Sequence, residues 1–276
     1  MPELPEVEIN ALRSFDPPLS ELAGRRVEGV RRRGKHLVVD VEGGWVLLIH
    51  LMSAGRLQLY GKRAGPRDRT SRLLVRLEAP PGDAPSEGAS QAGGRELRLR
   101  EFGSKQAAWV KLLRSEELEA DEALAKLGPD AWPDPPTPPA LGELLRPPRP
   151  LHTLLRDQRT LAGIGRSWVD EILWQARLSP YKRGNDLANE ELERLREAMV
   201  GTLGGALEHY EQVVHLPIPD KLPLPLQVHR HEGEPCPRCG EALRAVHFED
   251  YVIAYCPACQ TEGRVLKDRR LSRLLK

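Results

Sequence analysis

The chain reads as an α+β protein, with a strand-rich first half, a helical middle and a short cysteine-bearing end. Three observations carry that reading. Aliphatic and polar residues alternate in short runs between Val27 and Leu113, the period of half-buried strands. Leu192, Leu195, Met199 and Leu203 recur at helical spacing. Two Cys-x₂-Cys knuckles, Cys236/Cys239 and Cys256/Cys259, hold every cysteine of the chain.

Leu37–Val41 and Trp45–Leu51 are β-rich runs separated by Glu42-Gly43-Gly44, a hairpin-type turn. Arg72–Leu77 and Glu96–Arg100 add alternating strands, and Ala107–Leu113 closes this half. Residues 79–94 are rich in Pro, Gly, Ser and Ala without periodicity, which predicts a mobile loop. The proline-rich stretch 129–150 predicts extended linker around a short helix, Ala140–Leu145. Helices follow over Leu151–Arg159, Arg166–Arg177 and Glu190–Tyr210, and Pro217–Pro225 break the last. Short strands surround the cysteines.

The 276 residues suit one large or two ordinary domains, and 40% hydrophobic with 29% charged residues suits a globular fold. No apolar run approaches the ~18 residues of a membrane helix. The N-terminus has prolines and acids where a signal peptide has a basic then apolar segment. A cytoplasmic, nucleoid-associated monomer with no membrane partner is expected. Net charge is only +1, but charge is segregated. Arg25, Arg26, Arg31, Arg32, Arg33 and Lys35 form one basic cluster, and residues 264–276 form another, while acids gather at 116–122. Segregation permits a DNA-facing surface on a nearly neutral protein, though such runs also serve as solvated faces.

Two short knuckles bring four thiolates to one tetrahedral site suited to Zn²⁺. Four sulfur ligands leave no open position, so the ion would be structural. A redox pair or two disulfides are the competing readings. The start Met1-Pro2-Glu3 points to chemistry of another kind. Loss of Met1 leaves Pro2 with a secondary amine whose pKa, near about 8, lies far below that of a lysine. Such an amine attacks a sugar C1′ to give an iminium, with Glu3 and Glu6 nearby to move protons. Most Met-Pro starts are inert, so the motif needs company.

The company exists. MPELPEVE at the start, Arg33-Gly34-Lys35-His36, His50-Leu51-Met52-Ser53-Ala54-Gly55-Arg56, Arg100-Glu101-Phe102-Gly103, Leu127-Gly128-Pro129-Asp130, Gln158–Trp174 and the flanks of both knuckles occur in one order along nearly the whole chain. Together they resemble the formamidopyrimidine-DNA glycosylase and endonuclease VIII family. The resemblance implies a β-sandwich over residues 1–128. A linker and helix–two-turn–helix module would occupy 129–228, and a zinc finger with a basic tail 229–276. It implies a base-excision repair glycosylase and AP lyase acting on damaged double-stranded DNA, with an oxidised base as the expected lesion. Pro2 would be the nucleophile, Glu3 and Glu6 acid–base or organising groups, and Lys35 a phosphate contact beside the active site. His50, Gly165 and Arg166 would bind phosphate. Met52 would intercalate, with Arg100 and Phe102 filling the gap left by an extruded base. His152, Glu171 and Tyr251 would join the DNA-binding set.

The chain also departs from the family pattern. Roughly twenty or more residues before Phe15–Leu19, a longer first helix and a strand pair, are absent, judged against the resemblance. Tyr251 stands where the finger has an arginine, Arg166 where asparagine follows Gly-x-Gly, and His152 where many members have a lysine or arginine. Residues 212–226 are proline-rich where a base-covering loop is expected. Arg166 is expected to supply charge that Tyr251 lacks. A family member that binds lesions or bent DNA without cutting is the alternative. A zinc-ribbon transcription or RNA-binding module accounts for the cysteines but not for the N-terminal string.

Overall fold

A computed structural model describes residues 3–4, 6–9, 16–64, 71–78, 95–101, 107–215, 222–248 and 251–267. The expected loop at 79–94, together with Pro2 and Phe102, lies outside the described residues. The chain divides into two compact units, Met1–Ala125 with Val214–Leu222, and Lys126–Val213 with Pro223–Lys276.

The first unit is a sandwich of two antiparallel sheets. Strands β1 (Glu3–Leu4), β3 (Arg25–Arg33), β4 (His36–Val41), β5 (Trp45–His50) and β9 (Trp109–Arg114) form one sheet in the order β1-β3-β4-β5-β9. Strands β2 (Glu6–Ile9), β6 (Gly55–Tyr60), β7 (Ser71–Leu77) and β8 (Arg95–Glu101) form the other, ordered β2-β7-β8-β6. Alternation puts Val27, Val41, Leu47, Ile49, Val110 and Leu112 of the first sheet against Leu73, Val75 and Leu99 of the second in one core. The β4–β5 turn is the expected one, with Gly43 at φ 83° and Gly44 at φ 73°, conformations that glycine adopts without a Cβ penalty.

The second unit packs helices α1 (Pro138–Leu145), α2 (Leu151–Arg156), α3 (Arg166–Gln175) and α4 (Asn189–Val213) around Leu141, Leu145, Leu154, Leu155, Ile172, Leu195 and Met199. Helix α1 starts two residues earlier than expected because Pro138 and Pro139 occupy its first turn, where a missing N–H costs nothing. Helix α2 stops at Arg156, short of the expected Arg159. There the Asp157 carboxylate accepts the Arg159 N–H at 3.1 Å, an Asx turn that competes with the helix. Helix α4 runs on to Val213, because no breaker occurs before Pro217. Strands β10 (Arg244–His247) and β11 (Val252–Tyr255) form a hairpin, followed by the single turn α5 (Pro257–Gln260).

Candidate functional site

In the first unit, Lys35, His50 and Met52 gather at one end of the five-stranded sheet. Gly34 (φ 58°) and the exposed Lys35 form the turn between β3 and β4. Strand register sets His36 opposite His50, and His50 opposite Trp109. The three rings therefore meet, with centroids 4.6, 5.5 and 5.7 Å apart. Burial, aided by repulsion from His36 and Lys35, pushes the His50 imidazole down to about 4. Its Nδ1 accepts the Met52 N–H at 3.0 Å. The neutral ring therefore carries its proton on Nε2, where it can donate to a phosphate without bearing charge. Met52 follows at φ 51°, an uncommon conformation for a side-chain-bearing residue, and is 51% exposed.

His36 is lowered too, chiefly by burial. Neither ring should titrate at its ordinary value. A histidine whose folded pKa is lowered takes up its proton first in the unfolded chain. His50 therefore contributes stability above pH ~6.5 that is lost as pH falls toward about 4. Proton-detected titration should show His50 neutral at pH 6. A midpoint at or above 6.5 would contradict the burial and the Nδ1 bond.

Glu3 lies on β1 opposite Arg26 and is partly buried. Arg100, on β8, donates to the Tyr60 hydroxyl at 2.9 Å. Pro2, Phe102 and the Glu6 side chain lie outside the described residues.

In the second unit, the α2–α3 turn is held by Gln158. Its Oε1 accepts the Gly163 N–H at 3.0 Å, and its Nε2 donates to the carbonyls of Ile164 (3.0 Å) and Arg156 (3.2 Å). Gly163 sits at φ 99°. Gly165 caps α3 with no side-chain bond, and a Cβ there would come within 3.2 Å of Trp168. The exposed Arg166 opens the helix, its guanidinium carbon 5.8 Å from the Tyr251 ring centroid. Tyr251 also meets Phe248 at 4.3 Å, Arg156 at 4.0 Å and His152 at 5.7 Å. Arg166, His152 and Tyr251 thus come together as one cluster, with Arg156 as a member the sequence reading missed.

Two residues expected to bind DNA are instead internal. Glu171, 3% exposed, accepts the N–H groups of Gln227 (2.9 Å), Val228 (3.0 Å) and His229 (2.8 Å). His152, 1% exposed, faces Asp170 at 3.3 Å. Both were expected in the DNA-binding set, and their burial places their side chains inside the second unit. Asp170, also unanticipated, is a hub. It bonds His229 Nδ1 at 2.6 Å and accepts the Ala254 N–H at 2.9 Å, joining α2, α3, the 227–229 segment and β11.

The four Sγ atoms of Cys236, Cys239, Cys256 and Cys259 lie within 4.8 Å of one another. Neighbouring pairs are 3.5 to 4.0 Å apart. A tetrahedron with metal–sulfur bonds of about 2.3 Å has edges of about 3.8 Å, so the donor set fits a thiolate-bound ion. Burial works against ionising Cys236, but the N–H of Arg238 and the Trp174 indole N–H, at 3.4 Å, outweigh it and hold the thiol at about 6. Arg238 in turn lies over the Trp174 ring at 4.3 Å and donates to the Trp174 carbonyl at 2.9 Å. Neither Trp174 nor Arg238 is signalled by the knuckle spacing.

Similarity to known proteins follows the same layout. Residues 10–102 match the model of the formamidopyrimidine-DNA glycosylase N-terminal domain, and residues 127–216 that of the formamidopyrimidine-DNA glycosylase H2TH domain. A formamidopyrimidine-DNA glycosylase of Thermus thermophilus is 32% identical over 95% of this chain and 100% of its own length. An uncharacterized formamidopyrimidine-DNA glycosylase-like protein of Mycobacterium tuberculosis is 40% identical over 54% of this chain and 94% of its own length. Among solved structures, the complex between the Lactococcus lactis Fpg and an abasic site containing DNA has a TM-score of 0.76 at 22% identity, over 94% of this chain and 93% of that chain. MutM in complex with carbocyclic 8-oxo-G containing DNA gives 0.75 at 23%, over 94% and 92%. The two structures share the fold. With domain models matched in order and near-full-length identity above 30%, this chain belongs to the formamidopyrimidine-DNA glycosylase family.

Proposed function

We propose that this protein is a DNA glycosylase with AP lyase activity that excises a damaged, extruded base from duplex DNA. The observation that carries the reading is the near-full-length kinship with formamidopyrimidine-DNA glycosylases. The first unit adds a second support. Lys35, a neutral His50 donor and the exposed Met52 side chain lie together, a set suited to holding a phosphate and filling a vacated base position.

The chemistry follows from a secondary amine. Pro2, freed of Met1, attacks C1′, and its C1′–N bond forms as the bond to the damaged base breaks. The base leaves with a proton. Glu3 gives a proton to O4′ as the C1′–O4′ bond opens and the iminium forms. The iminium acidifies C2′–H. Loss of that proton breaks C3′–O3′, and loss of the C4′ proton then breaks C5′–O5′. Water hydrolyses the remaining Schiff base and returns the amine. Glu6 would organise the amine, and Lys35, His50, Gly165 and Arg166 would hold backbone phosphates.

Cys236, Cys239, Cys256 and Cys259 would hold one Zn²⁺. Four thiolates leave no open ligand position, so the ion would supply rigidity to the β10–β11 hairpin.

Borohydride reduction during reaction with AP-site duplex tests the reading. The wild type should give a covalent protein–DNA complex, and Pro2→Gly should lose nearly all of it. Tight binding with no trapped complex would identify a lesion binder that does not cut.

A further inference from the structure

The Tyr251 cluster holds a group that neither the sequence motifs nor the proposed chemistry uses. Arg156 ends α2 with its guanidinium carbon 4.0 Å from the Tyr251 ring centroid. Its Nη1 is buried with no hydrogen-bond acceptor among the described residues. Arg166 approaches the same ring, so the two guanidinium groups are within about 10 Å of each other.

Carboxylates of the described residues on α2 and α3 are already committed. Asp157 faces Arg149 at 3.5 Å and accepts the Arg159 N–H. Asp170 faces His152 and His229, and Glu171 accepts three amides. Among the described residues no carboxylate pairs with Arg156, so its charge is electrostatically incomplete there. Tyr251 is engaged inside the protein by Phe248 and His152 as well as Arg156, so what the cluster offers a ligand is charge and donors rather than a ring face. At the adjoining start of α3, no side chain caps the helix amides, which adds donors of the same polarity.

We infer that Arg156, braced against Tyr251 and acting with Arg166, forms a two-guanidinium site for a backbone phosphodiester of duplex DNA. The inference rests on the glycosylase reading for its ligand. It adds Arg156 as a phosphate-binding residue and gives Tyr251 the part of a positioning residue, which sets the guanidinium plane and does not itself need to carry charge. Arginine suits this arrangement because its planar fork stacks on an aromatic ring while still presenting N–H donors.

The test is equilibrium binding of the full chain to a duplex with a tetrahydrofuran abasic analogue, across about 50 to 200 mM salt. Arg156→Leu fills the space beside Tyr251 without charge. It should weaken binding about tenfold, the loss of one charge-assisted contact, and lower the slope of log K against log salt by roughly one. Arg156→Lys should restore the slope and only part of the affinity, because charge returns without the planar fork. A purely structural prop would lose affinity in both variants with the slope unchanged, and that result overturns the inference. If Arg156→Leu fails to fold, Arg156→Gln takes its place as the uncharged variant, and a slope unchanged from wild type overturns the inference just as it would for the leucine variant. Wild-type protein that neither binds this duplex nor traps on AP-site DNA would overturn the glycosylase reading as well. Binding by the wild type with an unchanged Arg156→Leu slope overturns only the inference.

Discussion

Cys256→Ser, or removal of the metal by chelation, is expected to unfold the β10–β11 hairpin and to abolish tight DNA binding. Cys256 is fully buried, its Sγ 3.5 Å from that of Cys239, and it accepts the Cys259 N–H at 3.4 Å. The hairpin has two four-residue strands and a small cluster of Val246, Ile253 and Tyr255, too little apolar surface to hold itself. A structural ion held by the four cysteines would supply folding free energy there of about 10 kcal/mol or more. Loss of the hairpin withdraws the Ala254 amide from Asp170 and Tyr251 from Arg156. The sandwich of the first unit has its own core and should survive. Metal analysis should return one ion per chain. Wild-type protein purified without chelator, metal-free and with hairpin amides still protected, would contradict this account.

Glu171→Ala should be the most damaging single change away from the four cysteines. It leaves three amides, of Gln227, Val228 and His229, without their acceptor, two of them buried. Each buried unsatisfied donor costs about 1–3 kcal/mol, so a total loss of about 3–5 kcal/mol is expected. Hydrogen exchange at those amides is the appropriate readout, because a two-unit chain need not unfold in one step. Their protection should collapse in Glu171→Ala and return in part in Glu171→Gln, which keeps one carboxamide oxygen. Unchanged protection in the alanine variant would show that the carboxylate does not hold this segment.

The contrast between Glu171 and Lys35 shows what was legible in the chain and what was not. Strands announced themselves because one side of each is buried, so alternation survives in the residue order, and Gly43-Gly44 marked the turn between β4 and β5. The knuckles were legible because ligand spacing is local. Lys35, His50 and Met52 were found as motif residues. What the motif did not carry was that register sets His36 and Trp109 against His50 and makes its ring neutral. The burial of Glu171 and His152 was not legible because it depends on other segments of the chain, here 227–229 and α3. Arg156 and Asp170 went unnoticed for the same reason, since their partners Tyr251 and Ala254 lie on a hairpin that no spacing ties to α2 or α3. The end of α2 was overextended because helical periodicity does not register a competing Asx turn at Asp157.

In the proposed mechanism an N-terminal secondary amine does the chemistry. The direct measurement is peptide mass mapping of the borohydride-trapped complex formed on AP-site duplex. The expected product is a protein lacking Met1, with the reduced deoxyribose remnant on the Pro2 nitrogen. A remnant on Lys35 or another lysine, or efficient trapping by protein that retains Met1, would contradict it.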